Sequence, residues 1–210
     1  MYDIIKVRKS GNYLKAFTEE HELTFSLGNR KLSSDILIFN LPAGKGGSCP
    51  MTCRKCYALK AQRLYPSARR ARWLNFEAMQ DEPLILFHAI RAIYHKYGHL
   101  ISAFRLHESG DMFSTDYARV IEIVASWLSR RNVRSYTYTK SIYRPAFINI
   151  VESILPDGDV NYGNLDYLTK KADKFNIRTC PATLPDGHDV VCGRDCTMCQ
   201  HAKHVLFLEH

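Results

Sequence analysis

The sequence predicts an α/β protein in which parallel strands alternate with crossover helices. Apolar runs of strand length recur between residues 35 and 180, and segments with helical apolar spacing lie between them. Glycine or proline residues mark most of the boundaries. Alternation of this kind is typical of parallel sheets with helical connections. Because no repeat or linker is evident, we expect a single domain over 1–210, with a core at about 35–180 and a cysteine-rich extension at 180–210.

The elements follow from local signals. An apolar strand at 35–41 ends at Pro42, and a glycine-rich loop leads from it into a short helix at 57–64. Ser67 is a suitable cap for the next helix, and Gly98 is a suitable stop for the helix after that. The other predicted elements are helices at 67–79 and 82–97, a strand at 101–107, a helix from Ser114 or Thr115 to about 130, a strand at 135–139, a helix near 144–154, a strand at 159–163, a helix near 165–174, and strands at 177–180 and 205–207.

The composition limits the classes of function. Hydrophobic residues make up 46% of the chain, enough for a proper core, and no 18-residue apolar stretch predicts a membrane span. The first residues lack the apolar region of a signal peptide, so the free thiols predict a reducing compartment, most simply a cytoplasm. The net charge of +8 suits an anionic substrate or loose nucleic-acid contact. The densest basic run, 69–72, is also what a solvated helix face would show.

Cys49, Cys53 and Cys56 form a C-x3-C-x2-C triplet. Three thiolates at this spacing can hold three irons of a 4Fe–4S cluster and leave the fourth iron open to a small molecule. The alternatives are a zinc site that borrows a distant fourth ligand, or three unconnected thiols. Zinc structural sites usually take four protein ligands, so the triplet favours iron–sulfur.

The other four cysteines form a second group, Cys180, Cys192, Cys196 and Cys199. Four thiolates are a complete ligand set for a closed 4Fe–4S cluster or for structural zinc, and their spacing does not choose between the metals. The seven cysteines divide as three plus four, and an odd number argues against a disulfide framework.

Candidate site residues also follow the predicted strands. The triplet follows the first strand, Glu108, Ser109 and Asp111 follow the second, and Lys140 follows the third. Functional residues of parallel sheets gather beyond the carboxyl ends of the strands, so these segments are expected to meet at a cofactor site. Asp111 or Ser114 could instead cap the next helix, and a hydrogen-bonded structural role is expected for His107.

Three blocks of the sequence resemble the bacteriophage gene product 88 family. They are the cysteine segment ending at Lys60, the block 104–114, and the block 136–141. The closing cysteine group is similar to that family too. The triplet after the first strand also resembles the radical S-adenosylmethionine (SAM) superfamily.

These resemblances imply a phage or prophage protein with a partial (β/α)6-type, radical-SAM-like barrel and a C-terminal cysteine-rich metal loop. In the superfamily, the three-cysteine cluster binds SAM and cleaves it with one electron to start radical chemistry. The residues Glu108–Asp111 occupy the place of the Gly-Gly-Glu stretch that binds the methionine amine. The resemblance therefore implies two 4Fe–4S clusters (the second possibly zinc), SAM or another small molecule, and an electron donor.

Two other functions remain open at this point. One is a non-catalytic iron–sulfur protein that carries electrons or senses redox state. The other is a nucleic-acid-binding metalloprotein that uses Arg69, Arg70, Arg72 and nearby aromatic residues.

Overall fold

The structure is a computed structural model that describes residues 4–50, 56–152, 178–181, 190–202 and 205–206. It has a mixed α/β architecture, which confirms the predicted class. The strands are β1 (Lys6–Ser10), β2 (Tyr13–Phe17), β3 (Glu22–Leu27), β4 (Ile36–Phe39), β5 (Ala103–Leu106), β6 (Arg134–Thr139), β7 (Asn149–Glu152), β8 (Arg178–Thr179) and β9 (Val205–Leu206), and the helices are α1 (Tyr57–Leu64), α2 (Pro66–Asp81), α3 (Ile85–Tyr97) and α4 (Thr115–Ser129).

Seven strands form one sheet in the order in which they occur along the chain, β1 to β7. Strands β1 to β4 pair antiparallel with their neighbours, whereas β4, β5, β6 and β7 pair parallel. Helices α1 to α3 connect β4 to β5, and α4 connects β5 to β6. These seven strands thus form an open mixed sheet with four parallel members, β8 and β9 pair separately, and the six-unit barrel stays a prediction.

Period-two alternation gives the parallel strands two buried faces. Leu37 lies opposite Phe104 and Phe39 opposite Leu106, and these residues belong to the large core that the helices cover. The intervening residues point to the opposite face, where a smaller cluster contains Ile38. The C-terminal cysteine segment covers that second face, because Cys192 and Cys199 pack against this cluster.

Helix α4 shows how the local sequence sets a boundary. Ser114 is its N-cap, and the Ser114 hydroxyl accepts a hydrogen bond from the backbone N–H of Tyr117 at 3.1 Å. Of the two caps that the sequence offered, the structure uses Ser114. Tyr117, Ile121 and Val124 lie on the buried face of the helix, in agreement with its apolar spacing.

Several predicted elements differ from the observed ones. The helix expected near 144–154 is wrong, because residues 149–152 form β7 beside β6. The run Ile148-Asn-Ile-Val is rich in β-branched residues, which favour a strand. The antiparallel strands β1 to β3 were not predicted. The expected strand at 159–163 and helix at 165–174 lie outside the described residues.

The other predicted elements are confirmed to within a few residues. No helix in the described part of the chain has the length and apolarity needed to cross a membrane.

Candidate functional site

The carboxyl ends of the parallel strands bring three predicted segments together. Strands β4, β5 and β6 are parallel neighbours, so the segments that follow them leave the same edge of the sheet. The Ser48 hydroxyl, one residue before Cys49, accepts a hydrogen bond from the Asp111 N–H at 2.9 Å. The Asp111 Oδ2 atom accepts another from the Lys140 N–H at 2.9 Å. Asp111 therefore connects three segments through its backbone and its side chain. They are the cysteine loop (the loop that bears Cys49), the acidic turn (residues 108–111) and Lys140.

Asp111 is buried, and both of its carboxylate oxygens are used within the protein. Its Oδ1 atom accepts hydrogen bonds from the Met112 N–H at 2.8 Å and from the Thr139 hydroxyl at 2.5 Å. Together with the Lys140 contact, these bonds tie the end of β5 to the end of β6. The arrangement supports a role in positioning the strand ends.

Ser109 is also buried and faces inward. Its N–H donates to Asn40 Oδ1 at 3.0 Å, its carbonyl accepts from the Leu41 N–H at 3.0 Å, and its hydroxyl donates to Gln62 Oε1 at 3.3 Å. Gln62 also accepts a hydrogen bond from the Ala43 N–H at 2.6 Å. This network fastens the acidic turn to the start of the glycine-rich loop and to α1.

Gly110 allows the close approach of these two segments. Its φ is +82°, and a Cβ atom built there would lie 2.4 Å from Ser48 Oγ and 2.7 Å from Leu41 Cβ. Only glycine avoids both the conformational strain and the clash.

Glu108 points away from this network. Its Oε1 atom accepts a hydrogen bond from Asn29 Nδ2 at 2.7 Å and lies 3.8 Å from Arg105 Nη1. The Glu108 side chain is 23% exposed, so of the two acids in this turn it is the one that solvent and a ligand can reach. Neither Asn29 nor Arg105 was predicted as a partner: Asn29 is distant in the sequence, whereas Arg105 lies in β5 only three residues before Glu108.

His107 is a buried structural residue, as expected. Its Nε2 atom lies 2.9 Å from the Tyr117 hydroxyl, and its ring is 5.7 Å from that of Tyr117. Burial lowers the pKa of His107 to about 4, although the negative charge of Asp111 acts in the opposite direction. Its φ of +59° is tolerated better by His than by bulky side chains.

The triplet lies beside this edge as far as it is described. Cys49 and Cys56 are both partly exposed, and Cys56 is the residue at which α1 begins. Cys53 lies outside the described residues, so the predicted three-thiolate arrangement stays a prediction.

The second cysteine group forms a single feature, which we call the thiol pocket (Cys180, Cys192, Cys196 and Cys199). All four residues line one pocket on the sheet face opposite the helices. Arg105, Tyr136 and Tyr138, which point to that face from β5 and β6, line the same pocket. Period-two alternation along these two strands is the sequence signal that would have identified them.

Backbone hydrogen bonds fix the thiol pocket against the sheet. The Cys192 N–H donates to the Lys31 carbonyl at 2.9 Å, and the Cys192 carbonyl accepts from the Ser33 N–H at 2.8 Å. The Cys199 carbonyl accepts a hydrogen bond from Asn149 Nδ2 at 2.8 Å, at the start of β7. The connection between β3 and β4 and the start of β7 therefore both hold the cysteine segment in place.

Burial and neighbouring charges shift the pKa values of two thiols in this pocket. Burial raises the pKa of the Cys199 thiol to about 11, the hydrogen bond with Tyr138 lowers it, and the neighbouring cysteines raise it further. Burial and the neighbouring Cys180 also raise the pKa of Cys192, whereas the positive charge of Arg105 opposes them. The Arg105 guanidinium lies 5.0 Å from the ring centre of Tyr138 and 6.0 Å from that of Tyr136. Arg105 is therefore the cation that would offset thiolate charge in this pocket.

The histidines near this group are not all described. His188 and His204 lie outside the described residues. His201 is exposed, and its Nε2 atom lies 2.7 Å from Arg134 Nη1. Among the described residues, no three His, Cys, Asp or Glu side chains are arranged so that they could hold one metal ion.

The fold and this site define an α/β protein with paired strand-end loops and a four-cysteine pocket on the back of its sheet. The chain belongs to the gene product 88 family, whose model matches residues 14–160. The match includes the triplet, the acidic turn and Lys140, but it ends before the four cysteines of the thiol pocket, so it does not extend to the resemblance that was noted for them. No curated protein and no solved structure matches the chain, and the relation to radical SAM barrels stays a prediction.

Proposed function

We propose that this protein is an iron–sulfur protein that holds one 4Fe–4S cluster in the thiol pocket and a second on Cys49, Cys53 and Cys56. The observation that carries the proposal is the convergence of four cysteines, from two separate segments, on one pocket backed by Arg105. Four thiolates are a complete ligand set for such a cluster. A cationic guanidinium beside them offsets part of the negative charge that the thiolates bring.

The donor set of the thiol pocket also suits zinc, which differs from a cluster in the spacing of the sulfurs that it requires. A single zinc ion draws four sulfurs to one point at about 2.3 Å. A cubane cluster spaces its thiolates further apart, because the iron–sulfur core lies between them. Four thiols that line one pocket are donors for either metal, and the metal content of the purified protein distinguishes the two.

For the triplet, we propose a cluster with one open iron at the strand-end edge. Such a cluster supplies one electron at low potential and a coordination position for a small molecule when it is present. If that molecule is SAM, the protein is a radical-SAM-like enzyme on an unknown substrate. If none binds, the protein carries electrons or senses redox state.

The residues at the edge take separate roles in this proposal. Glu108 is the acid that would hold a ligand ammonium group, because it is partly exposed and belongs to the acidic turn that contacts the cysteine loop through Asp111. Ser109 and Asp111 use their polar atoms to join the strand ends, so we assign them to positioning the cofactor site. Lys140 lies at the same edge, where its N–H donates a hydrogen bond to Asp111.

Metal analysis tests the proposal. Protein purified without oxygen and reconstituted should contain about eight irons per chain. Cys53→Ala should remove about half of the iron, and Cys196→Ala should remove the other half. A matched Lys45→Ala variant changes an exposed side chain of the same loop without removing a thiol and should keep all of it. Zinc in the thiol pocket, with about four irons in total, would contradict the auxiliary cluster and leave the first one standing.

A SAM titration separates the enzyme from the electron carrier. SAM should change the electron paramagnetic resonance signal of the reduced triplet cluster, and dithionite should then yield 5′-deoxyadenosine. Glu108→Gln should weaken SAM binding by about ten- to hundredfold, the range for a hydrogen bond to a charged group. Glu77→Gln, on the exposed face of α2, is the control. An unchanged signal at saturating SAM would favour the electron-transfer or sensing function.

A further inference from the structure

The positive charge of this protein is concentrated in one segment. Residues 36–76 contain eight of the 29 lysines and arginines and none of the 21 acidic residues. The remaining 21 basic residues therefore balance the 21 acidic ones, so the whole net charge of +8 arises between β4 and the middle of α2. Segregated charge of one sign is the electrostatic pattern of a surface that binds a polyanion.

The structure exposes the charged side chains of this segment. Lys60 and Arg63 are exposed on α1, and Arg69 and Arg70 are exposed on α2. In the described part of the chain, none of these four residues forms a salt bridge with an acidic side chain. Their charges are therefore available to an external partner.

Arg72 does not belong to this set. Its Nη1 atom donates to the Ala58 carbonyl at 3.2 Å and lies 3.5 Å from Gln62 Oε1. The arginine joins α2 to the start of α1, so its side chain is partly held within the protein. A helix places neighbouring residues about 100° apart, so a basic run cannot present all of its members on one face.

Two exposed aromatic side chains lie in the same segment as these cations. Tyr65, at the junction of α1 and α2, is 60% exposed, and Trp73 is 37% exposed. Arg69 and Arg70 precede Trp73 by four and three residues, so the three share one helix face. Glu77, four residues beyond Trp73, is the acid that ends the basic segment.

We infer that the α1–α2 surface (Lys60, Arg63, Tyr65, Arg69, Arg70 and Trp73) binds single-stranded nucleic acid. Cations that track phosphates, combined with aromatic rings on which bases stack, are what sequence-tolerant single-strand binding requires. A duplex offers phosphates but keeps its bases stacked on each other, so it would leave Tyr65 and Trp73 unused. Lys60, the first residue of this surface, lies about one helical turn after Cys56, the N-cap of α1, so a bound strand would lie near the triplet.

Fluorescence anisotropy with a labelled 20-nucleotide oligo(dT) tests this inference on the full chain with its native metal content. Four phosphate contacts predict that log K falls with log salt concentration with a slope of about −3, since each single-strand contact contributes about −0.7. Arg69→Ala/Arg70→Ala should bind more weakly and reduce the slope by about 1.4. Arg119→Ala/Arg130→Ala removes the same charge from exposed positions in α4 and immediately after it, and should bind like the wild type.

The aromatic contribution is tested separately. Tyr65→Ala should weaken oligo(dT) binding by at least about fivefold without changing the salt slope, because stacking releases no counterions. Equal weakening by both arginine pairs would overturn the assignment of the surface. Equal affinity for a duplex of the same length, with no effect of Tyr65→Ala, would overturn the single-strand assignment. Salt-sensitive binding to anionic lipid vesicles but not to oligo(dT) would overturn both. Circular dichroism of every variant and a second double substitution, Arg69→Gln/Arg70→Gln, check that weaker binding does not result from a loss of folding.

Discussion

At the scale of single residues, the two acids of the acidic turn have different surroundings. Asp111 is enclosed by hydrogen-bond donors from its own turn and from the end of β6, whereas Glu108 is partly exposed beside Arg105. The sequence shows the two as equivalent neighbours of a glycine. Their burial, which depends on the packing of β4 and β6, separates a positioning residue from a candidate ligand residue.

Asp111→Asn is expected to destabilise the fold. The amide nitrogen would replace one acceptor that now faces an N–H or O–H donor, and hydrogen bonds to a charged group are worth about 1.5–3 kcal/mol. The measurement is the free energy of unfolding from urea titration. Asp116→Asn, whose side chain is 78% exposed in a surface ion pair with Arg119, should cost less than about 0.5 kcal/mol. Equal stability of the two variants would show that the Asp111 contacts contribute little.

The lowered pKa of His107 predicts that the free energy of unfolding depends on pH. Its pKa is about 4 in the folded protein and about 6.5 in the unfolded chain, so between these values the unfolded chain binds more protons. Its contribution is fully present above pH 6.5 and is lost as the pH falls toward 4, by up to about 3 kcal/mol. His107→Asn tolerates the positive φ and should show a flatter pH profile over this window. The exposed His99→Asn should retain the wild-type slope. Identical profiles for all three proteins would refute the role of His107.

At the scale of secondary-structure elements, the loops that follow β4 and β5 pack directly against each other. The Ser48 hydroxyl, the Ser109 backbone and Gly110 lie at their contact. Because the segment that bears Cys49 is held by this contact, the position of the triplet depends on the acidic turn even though the two are far apart in the sequence.

Two glycines offer a matched test of this contact. Gly46 and Gly110 both have a φ of +82°, but a Cβ atom on Gly46 would meet nothing within 4 Å. Gly46→Ala should therefore cost only the conformational strain, about 1–2 kcal/mol. Gly110→Ala should cost about 1–3 kcal/mol more, since the added methyl group overlaps Leu41 and Ser48. Thermal or urea unfolding of both variants measures the difference, and equal costs would show that the loops separate easily.

At the scale of the whole molecule, the sheet separates two environments. The helices cover one face with an apolar core, and the cysteine segment covers the other through Cys192 and Cys199. In the proposed function, the bound cluster would join Cys180 to residues 192–199 and so reinforce the hydrogen bonds that hold that segment against the sheet. The stability of the cysteine segment on this face of the sheet would then depend on bound metal.

Removal of the cluster should loosen the cysteine segment without unfolding the rest. Hydrogen exchange followed by mass spectrometry should show reduced protection of the Ser33 and Cys192 amides, which bond across the two segments. The amides of β2 and β3, paired at Leu14 and Phe25, should keep their protection. Unchanged exchange at Ser33 and Cys192 after iron loss would contradict a structural role for the cluster.

Much of the fold was predictable from local signals. Apolar runs, the Ser114 cap and the Gly98 stop determined the elements from β4 to β6, because these depend on the residues within each element. The strand β7 was mistaken for a helix, since an apolar segment this short is compatible with both periods and only pairing with β6 selects the strand. The antiparallel strands β1 to β3 carry exposed and alternating residues whose pattern has meaning only beside β4.

The sequence by itself determined the thiol inventory, the meeting of the strand-end loops and the position of the net charge, because these follow from residue identity and strand order. The tertiary structure alone decided which side chains lie together. It placed Arg105 and Tyr138 under four cysteines, buried Asp111 while leaving Glu108 accessible, and turned Arg72 inward. The physical reason is that burial and hydrogen-bond partners come from residues far apart in the chain, and no local pattern encodes them.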